Sequence, residues 1–305
     1  MPVIAFINLK GGVAKTTNAV AIAECLASHG KTTLVIDADH QCTATELLLG
    51  EPRMEELERR RRTLHDLMLD MLKVDFDPAR IDRFVAGEAS DINGGLPHLS
   101  VIPSSVRIND FFDRYSARLR EYASLEEFQA MVTKHRKKLG NWIASNFDYV
   151  IIDCPPSLAY QVKFLLRLSD AYVIPSQPNR LSLRGADWLV EKLRKDGFRR
   201  RPLGTLWSMC REQDAQHRKV IKAAEHGEFD GYRFPAPFDT VVPLSSKISR
   251  ALEAPDSQPK SFRGKYGSKF SPVFISIANE LLTRTGEAGI CTGAEAPDEP
   301  LLANA

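Results

Sequence analysis

The 305-residue sequence predicts an α/β protein in which a doubly wound, mostly parallel sheet carries helices on both faces. Short runs rich in Val, Ile and Leu alternate with helical patterns over most of the chain, as in βαβ units. The runs are apolar at successive positions, which is typical of strands buried between two helical layers. A strand, a glycine-containing loop, a helix and a second strand already form one such unit within residues 3–39.

The predicted elements follow one another in a regular order. The strand at 3–8 leads through the loop to a helix over 15–29, and Gly30 is well suited to end that helix. A second strand follows at 31–39 and ends in two acids. Later strands are predicted at 99–105, 147–153, 171–176, 202–209 and 232–239, and helices near 124–145, 158–168, 182–196, 212–226 and 270–284.

The pattern indicates one domain over residues 1–285 with an interruption. Residues 51–98 are charged and helical in period, so we expect a helical excursion from the sheet there. The remaining residues, 286–305, are small, acidic or proline, a composition typical of a disordered tail.

The composition excludes several classes of protein. The net charge of +2 does not indicate a nucleic-acid-binding protein, so only clustering of basic residues could do so. The five cysteines are dispersed without a C-x-x-C pair, which argues against a disulfide framework, a zinc site or an iron–sulfur site. No apolar run is long enough for a membrane helix, and the N-terminus lacks the pattern of a signal peptide. We therefore expect a cytoplasmic protein without a membrane partner.

The stretch NLKGGVAKTTN at 8–18 nearly matches a phosphate-binding loop. The standard pattern places glycines six residues and one residue before the lysine of Lys-Ser/Thr, and here those positions hold Leu9 and Ala14. A loop between a strand and a helix N-terminus nevertheless favours an anion, and Gly11 and Gly12 would let successive N–H groups converge on a phosphate. Ala14 is the smallest departure from glycine and would fit if its backbone is helical. A glycine-rich turn without a ligand is the alternative.

Three acids strengthen the phosphate interpretation. Asp37 and Asp39 follow the second predicted strand, and Asp153 ends a later one. The carboxyl ends of parallel strands meet at one edge of a sheet, which is also the edge that the loop leaves. A phosphoryl-transfer site needs acids there to hold a metal and to orient water.

These motifs resemble those of the ParA/MinD ATPases, which are P-loop NTPases of the deviant Walker A type. KGGVAKTT resembles the family's KGGVGKTT, VIDADHQCTAT its VDLDPQGNAT, and YVIIDCPPS its Walker B segment. VIPSQPNRLSLRG and TVVPLSSKISRA resemble two further family segments. The similarity runs with interruptions from residue 2 to about 284 and favours the short, Soj-like ParA branch.

The resemblance implies binding and slow hydrolysis of ATP with Mg²⁺. It makes Lys10 the signature lysine, which reaches the partner's nucleotide in an ATP-bound dimer, and Asp39 the residue that positions the attacking water. It makes Thr16 a metal ligand, and it places Asp37 and Asp153 near the metal. The implied ATP contacts are Lys10, Gly11, Gly12, Val13, Ala14, Lys15, Thr16, Thr17, Met209 and Pro243, with Lys10, Lys15 and Asp39 as the catalytic residues.

Three residues depart from the family pattern. Ala14 stands where the family has glycine, His40 where it has proline, and Cys42 where it has a second glycine. The latter two directly follow the water-positioning acid, so we expect them to affect hydrolysis or loop mobility.

Basic residues cluster at 59–62, 134–138 and 192–201, and a further set is spread over 211–250. A charge run is usually a solvated face, but several on one surface could track a DNA backbone. No helix-turn-helix precedes the phosphate loop, so non-specific binding is the better expectation. Within the ParA resemblance, the residues expected to contact DNA are Arg218, Lys219, Lys247 and Arg250.

The leading hypothesis is a nucleoid-associated partition ATPase that dimerises with ATP, binds double-stranded DNA and is stimulated by a ParB-like adaptor. A second keeps the ATPase but positions a protein assembly such as a microcompartment or chemosensory cluster. Membrane-site selection of the MinD kind would need a basic amphipathic C-terminal helix, which the acidic tail lacks. A metabolic synthetase on the same fold would not require Lys10. An iron–sulfur member would need cysteines to bridge a cluster, and we interpret Cys42 and Cys154, which adjoin the site motifs, as bystanders.

Overall fold

A six-stranded, all-parallel sheet forms the centre of the protein, in the order β3-β2-β4-β1-β5-β6. The computed structural model describes residues 2–211, 213–251, 258–287 and 289. The predicted doubly wound α/β class is confirmed. The strands are β1 Val3–Phe6, β2 Thr33–Asp37, β3 Leu99–Ile102, β4 Tyr149–Asp153, β5 Ala171–Ser176 and β6 Arg201–Trp207.

Helices cover both faces of this sheet. Alternate residues of β1 point to opposite faces: Ile4 and Phe6 join one buried cluster, while Ala5 and Ile7 join the other. The first cluster includes α1 and α11, and the second includes α4 to α8. The helices are α1 Lys15–Ser28, α2 Thr43–Leu49, α3 Glu51–Arg59, α4 Leu64–Asp70, α5 Phe111–Leu119, α6 Leu125–Asn146, α7 Tyr160–Leu166, α8 Arg180–Lys195, α9 Ala215–Ala223, α10 Ser246–Arg250 and α11 Phe262–Thr285.

The excursion at 51–98 contains α3, α4 and two 3₁₀ segments, Pro78–Phe84 and Ile92–Gly94. It is anchored rather than detached, because Ile81 and Phe84 are fully buried in the core that faces α6. No described helix is long and apolar enough to span a membrane. The predicted tail lies outside the described residues at 288 and from 290 onward.

The predicted strand at 232–239 is wrong. Tyr232–Arg233 (β8) pairs antiparallel with Glu228–Phe229 (β7) in a separate two-stranded sheet. The rest of the segment contacts the main sheet through a single parallel bridge between Pro237 and Thr205 of β6. Pro235 and Pro237 have no N–H to donate to a sheet ladder, which explains why the apolar run does not continue as a strand. The sequence patterns also missed the short helices α2, α5 and α10.

The strand register sets the position of the candidate site. Phe6 at the end of β1 is level with Asp153 at the end of β4, and Asp153 is level with Asp37 at the end of β2. The loop after β1 and the two acids therefore leave the same carboxyl edge of the sheet.

Candidate nucleotide-binding site

The loop from Asn8 to Ala14 is fixed at its start by the buried side chain of Asn8. The Asn8 amide donates to the Pro175 carbonyl at 2.7 Å and to Ser176 Oγ at 3.1 Å, at the end of β5. Its Oδ1 accepts a hydrogen bond from the Lys10 N–H at 2.9 Å. Asn8 thus ties the loop to a neighbouring strand. Sequence reasoning gave it no role, since a single Asn carries no recognisable pattern.

The loop reaches the helix through two residues with left-handed backbone. Gly12 has φ 67°, and Ala14, which precedes α1, has φ 60° and ψ 36°. The sequence-based expectation is that Ala14 fits this position if its backbone is helical. The observed angles lie in the left-handed region instead, so this expectation is wrong. A left-handed conformation costs a residue with a Cβ roughly 1–2 kcal/mol, so the loop geometry favours glycine at this position.

Gln177, after β5, holds the middle of the same loop. Its Nε2 donates to the Gly12 carbonyl at 3.0 Å and lies 3.4 Å from Met209 Sδ. Asn179 in turn donates to Gln177 Oε1 at 3.0 Å. Sequence reasoning matched this segment to the ParA pattern but did not assign Gln177 to the site.

Lys15 begins α1 and is buried, whereas Lys10 is half-buried. Lys15 Nζ donates to the Lys10 carbonyl at 3.2 Å, so its ammonium group lies against the backbone of the loop. Burial lowers the pKa of Lys15, while the charge of Asp153 opposes that change. A buried ammonium group on a loop of this kind is poised to bind an anion. Of the other loop residues, Gly11 is exposed, Val13 is buried and Thr17 is half-buried.

Asp153 is the most strained acid of the site. It is fully buried, and its Oδ2 accepts a hydrogen bond from Thr16 Oγ1 at 2.7 Å. Its Oδ1 has no hydrogen-bond partner among the described residues. Burial, followed by the nearby charge of Asp37, raises the pKa of Asp153 well above its usual range. An unpartnered carboxylate oxygen beside a hydroxyl suits a hard divalent cation, which prefers oxygen ligands.

Asp37 is also fully buried but is saturated with hydrogen bonds. Its Oδ2 accepts from Thr45 Oγ1 at 2.6 Å and from the Thr45 N–H at 2.9 Å, and its Oδ1 accepts from the Asp39 N–H at 3.1 Å. Burial raises the pKa of Asp37 to about 6 despite these bonds. The saturation makes Asp37 better suited to an indirect position near a metal than to direct ligation.

Asp39 projects from the loop after β2 and remains partly exposed, at 14% of its side chain. Its Oδ1 accepts from the Gln41 N–H at 3.0 Å and lies 3.3 Å from His40 Nδ1. Cys42 follows with φ 57°, so both glycine positions of the family pattern that this chain replaces have left-handed backbone. Cys42 differs from Ala14 in that its Sγ contacts the His40 carbonyl at 3.5 Å.

A cavity of about 260 Å³ opens beside the loop, between Gly12 and the segment that follows β6. Met209 and Pro243 both line it, together with Thr17 and the apolar side chains of Val242 and Ile248. Backbone hydrogen bonds of Val242 to Trp207 and of Cys210 to Val242 hold its far wall. Its apolar walls can hold a flat ring.

The four residues predicted to contact DNA are exposed on two helices that follow the carboxyl edge. Arg218 and Lys219 lie on α9, and Lys247 and Arg250 lie on α10. Lys247 extends along Gly267, where an added Cβ would collide with the lysine side chain. The four described cysteines, Cys25, Cys42, Cys154 and Cys210, are buried and form no disulfide with one another. No group of three His, Cys, Asp or Glu residues in the described chain forms a metal cluster.

Comparisons with known proteins agree with the motifs. A model of the AAA domain family, AAA_31, matches residues 1–197. The sporulation initiation inhibitor protein Soj of Bacillus subtilis is 29% identical over 287 residues, spanning 92% of this chain and 97% of Soj. The chromosome partitioning protein ParA of Caulobacter vibrioides is 28% identical over 295 residues, spanning 92% of this chain and 94% of ParA.

A solved structure gives the same fold. The Cyanothece McdA(D38A)–ATP complex superposes with a TM-score of 0.67 at 21% identity, covering 94% of this chain and 97% of that one. The resemblance to ParA-type ATPases that the motifs indicated is therefore confirmed.

Proposed function

Because this chain belongs to the AAA domain family and is similar to ParA-type partition ATPases over most of its length, we propose that it hydrolyses ATP to drive DNA partition. The observation that carries the proposal is the buried Lys15 on a strand-to-helix loop, with Thr16 bonded to the buried Asp153 at 2.7 Å. A merely structural turn does not require a buried ammonium group and an unpartnered buried carboxylate oxygen.

The loop binds the phosphates of ATP. The N-terminus of α1 and the N–H groups around Gly11 and Gly12 favour negative charge. Lys15 supplies a positive charge, and its attraction to a phosphate is stronger in buried surroundings than in water. Binding draws the Lys15 ammonium group from the Lys10 carbonyl to the phosphate oxygens.

Magnesium fits the acids at this edge. Thr16 and the free oxygen of Asp153 would hold it, with Asp37 acting through water, and it would neutralise charge on the transferred phosphoryl group. Asp37 also positions the loop after β2 through its bonds to Asp39 and Thr45.

Hydrolysis depends on Asp39 and Lys10. Asp39 is the partly exposed acid and orients the attacking water. Lys10, half-buried at the loop surface, contacts the nucleotide of the partner protomer in an ATP-bound homodimer. A positive charge supplied by the partner offsets the charge that develops on the phosphate, so turnover is slow in the monomer.

The cavity beside Gly12 holds the adenine ring between Met209 and Pro243. Its apolar walls and its position next to the phosphate loop suit a base joined to bound phosphates.

The ATP dimer binds double-stranded DNA non-specifically through Arg218, Lys219, Lys247 and Arg250. Dimerisation doubles each set of phosphate contacts, so modest contacts gain avidity. A ParB-like adaptor bound to the cargo stimulates hydrolysis and releases the dimer from the nucleoid.

The first test measures binding to a duplex of arbitrary sequence with ATP, ADP or no nucleotide, at two salt concentrations. We expect tight, salt-sensitive binding with ATP alone, and loss of nucleotide binding in Lys15→Ala. Asp39→Ala should retain ATP-dependent binding and lose turnover.

Three results would contradict parts of the proposal. Equally tight DNA binding with ATP, with ADP and without nucleotide would contradict the proposed control of DNA binding by ATP. ATP turnover without DNA binding in any nucleotide state would favour the alternative in which the ATPase positions a protein assembly. Wild-type ATP affinity in Lys15→Ala would remove the loop from the site altogether.

A further inference from the structure

A recess of about 370 Å³ lies at the amino edge of the sheet, opposite the nucleotide loop. β5 and β6 begin directly after the segments that form it, which fixes its position at the strand starts. We call it the arginine recess. Its polar lining residues are Arg136 of α6, Lys163 and Arg167 at the end of α7, and Asp196, Arg199 and Arg200 between α8 and β6.

The recess joins two of the basic clusters that the sequence shows at 134–138 and 192–201. Other parts of those clusters serve the fold: His135 is buried against the Met71 carbonyl, and Lys138 donates to the Phe76 carbonyl at 3.0 Å. Arg136, Arg199 and Arg200, from the same two clusters, line the recess.

Positive charge in the arginine recess is not balanced by the described residues. Asp196 is the single acid among its described lining residues, and it is already shared by Lys163 at 2.7 Å and Lys192 at 3.2 Å. No described carboxylate forms an ion pair with any of the four guanidinium groups, those of Arg136, Arg167, Arg199 and Arg200.

The effect of this unbalanced positive charge is clearest at Arg136. It is half-buried on α6, its guanidinium lies over the Phe164 ring, and its Nη2 reaches only Thr133 Oγ1 at 3.4 Å. Burial, followed by the positive charge of Arg167, lowers the pKa of Arg136. Arg200 is held nearby, since its Nη2 donates to the Arg167 carbonyl at 3.3 Å. Like charges gathered in this way leave a strong local field for an anion.

We propose that the arginine recess binds a small ligand that carries two or more phosphate groups. Planar guanidinium groups match phosphate oxygens in paired hydrogen bonds, and several arginines on different walls can surround one polyphosphate. Leu166, Leu193 and Phe198 form apolar walls that can shield the ligand from water on one side. A duplex presents its phosphates on a convex ridge, which a recess fits less well. The site is separate from the ATP site because it lies at the other edge of the sheet.

Isothermal titration of the full chain with inorganic tripolyphosphate tests this directly. The Lys15→Ala background removes binding at the nucleotide loop, so the remaining binding reports on the recess. We expect saturable binding of about one ligand per chain, because the basic side chains of the recess line a single cavity. Adding Arg136→Gln and Arg200→Gln should weaken it by at least about tenfold, the effect of losing two charge-assisted contacts.

The matched control replaces two exposed arginines on another surface, Arg59→Gln and Arg62→Gln, with the same change in net charge. It should change affinity by less than about twofold. Arg199→Glu provides a second variant in case the first destabilises the fold, because Arg199 is exposed. Tripolyphosphate should also raise the melting temperature of the Lys15→Ala protein and not of the recess variants.

Two outcomes would overturn the proposal. Equal weakening in the recess and control variants would mean that only net charge matters. Absence of tripolyphosphate binding, together with a loss of duplex DNA binding in the recess variants alone, would make the recess a DNA-backbone contact.

Discussion

The Thr16 hydroxyl donates a hydrogen bond of 2.7 Å to one oxygen of Asp153, while the other oxygen of that buried carboxylate has no described partner. This pair joins the start of α1 to the end of β4, so it connects the phosphate loop to the acidic edge. A carboxylate charge buried in this way requires compensation, and in the proposed function a bound cation would supply it.

Removal of the Thr16 hydroxyl should therefore weaken magnesium-dependent ATP binding. Thr16→Val should lower ATP affinity in magnesium by about tenfold or more and have much less effect in EDTA, because a hydrogen bond to a charged group contributes roughly 1.5–3 kcal/mol. Thr16→Ser keeps the hydroxyl and should stay near wild type. Fluorescent-nucleotide titrations of the wild type and both variants, each with magnesium and with EDTA, measure these affinities. An equal loss with and without magnesium would separate Thr16 from the metal.

The stability of the metal-free protein should fall as pH rises. Burial raises the pKa of Asp37 to about 6 and raises the pKa of Asp153 well above its usual range, whereas unfolded aspartates titrate near 4. Between those values the folded chain binds more protons than the unfolded chain, so the free energy of unfolding decreases with pH. From these two acids we expect a decrease on the order of 1–3 kcal/mol between pH 4.5 and 7.5.

Urea unfolding in EDTA across that range measures this slope. Asp153→Asn removes one of the two charges, so the variant should show a flatter profile and be more stable than wild type at pH 7.5. The same variant should lose magnesium-dependent ATP turnover. An identical slope in wild type and variant would contradict the assignment of the pH dependence to this carboxylate.

Ala14→Gly should stabilise the protein. Ala14 has φ 60°, where a Cβ costs roughly 1–2 kcal/mol, and the extra backbone entropy of glycine offsets about half of the gain. We expect an increase of about 0.5–1 kcal/mol in the free energy of unfolding, measured by urea denaturation. Ala21→Gly inside α1 is the control and should destabilise by about 1 kcal/mol.

Cys42→Gly should have a smaller effect than Ala14→Gly. Cys42 has the same left-handed backbone, but it is buried and its thiol contacts the His40 carbonyl. Relief of strain and loss of burial should nearly cancel.

A destabilised Ala14→Gly protein would show that the loop does not hold Ala14 in the left-handed region.

The residues on α10 should be needed for DNA binding but not for ATP binding. Lys247→Glu with Arg250→Glu reverses two exposed charges, so affinity for duplex DNA should fall and its salt dependence should become shallower. Arg59→Glu with Arg62→Glu makes the same change in net charge on α3 and the loop after it. Fluorescence anisotropy at two salt concentrations compares them. Equal losses in both variants would place the DNA surface elsewhere.

The sequence predicts the sheet and its acidic edge because both depend on local patterns. Buried parallel strands are continuous apolar runs, and the acids that end them must meet wherever the strands are level, as Asp37 and Asp153 are. The prediction of one continuous strand at 232–239 failed because this proline-containing run forms only the short β8 and a single bridge to β6.

Other features depend on contacts between distant residues, which no local pattern records. The Asn8 and Gln177 side chains position the loop through hydrogen bonds across the fold, between segments more than 160 residues apart. The arginine recess likewise forms only when α6, α7 and the loop after α8 come together. The backbone handedness of Ala14 is a property of the folded loop and is invisible in its residue type.

Helix α8 spans 16 residues, or about 24 Å, and connects the nucleotide loop to the arginine recess. At one end, Gln177 N–H donates to Ser182 Oγ while its side chain holds the Gly12 carbonyl of the nucleotide loop. At the other end, Leu193 and Asp196 line the arginine recess. If either ligand displaced α8, the geometry of both sites would change. Thermodynamic reciprocity then requires each ligand to change the affinity for the other by the same factor. The protein would then report the level of a phosphorylated metabolite as a change in its affinity for ATP.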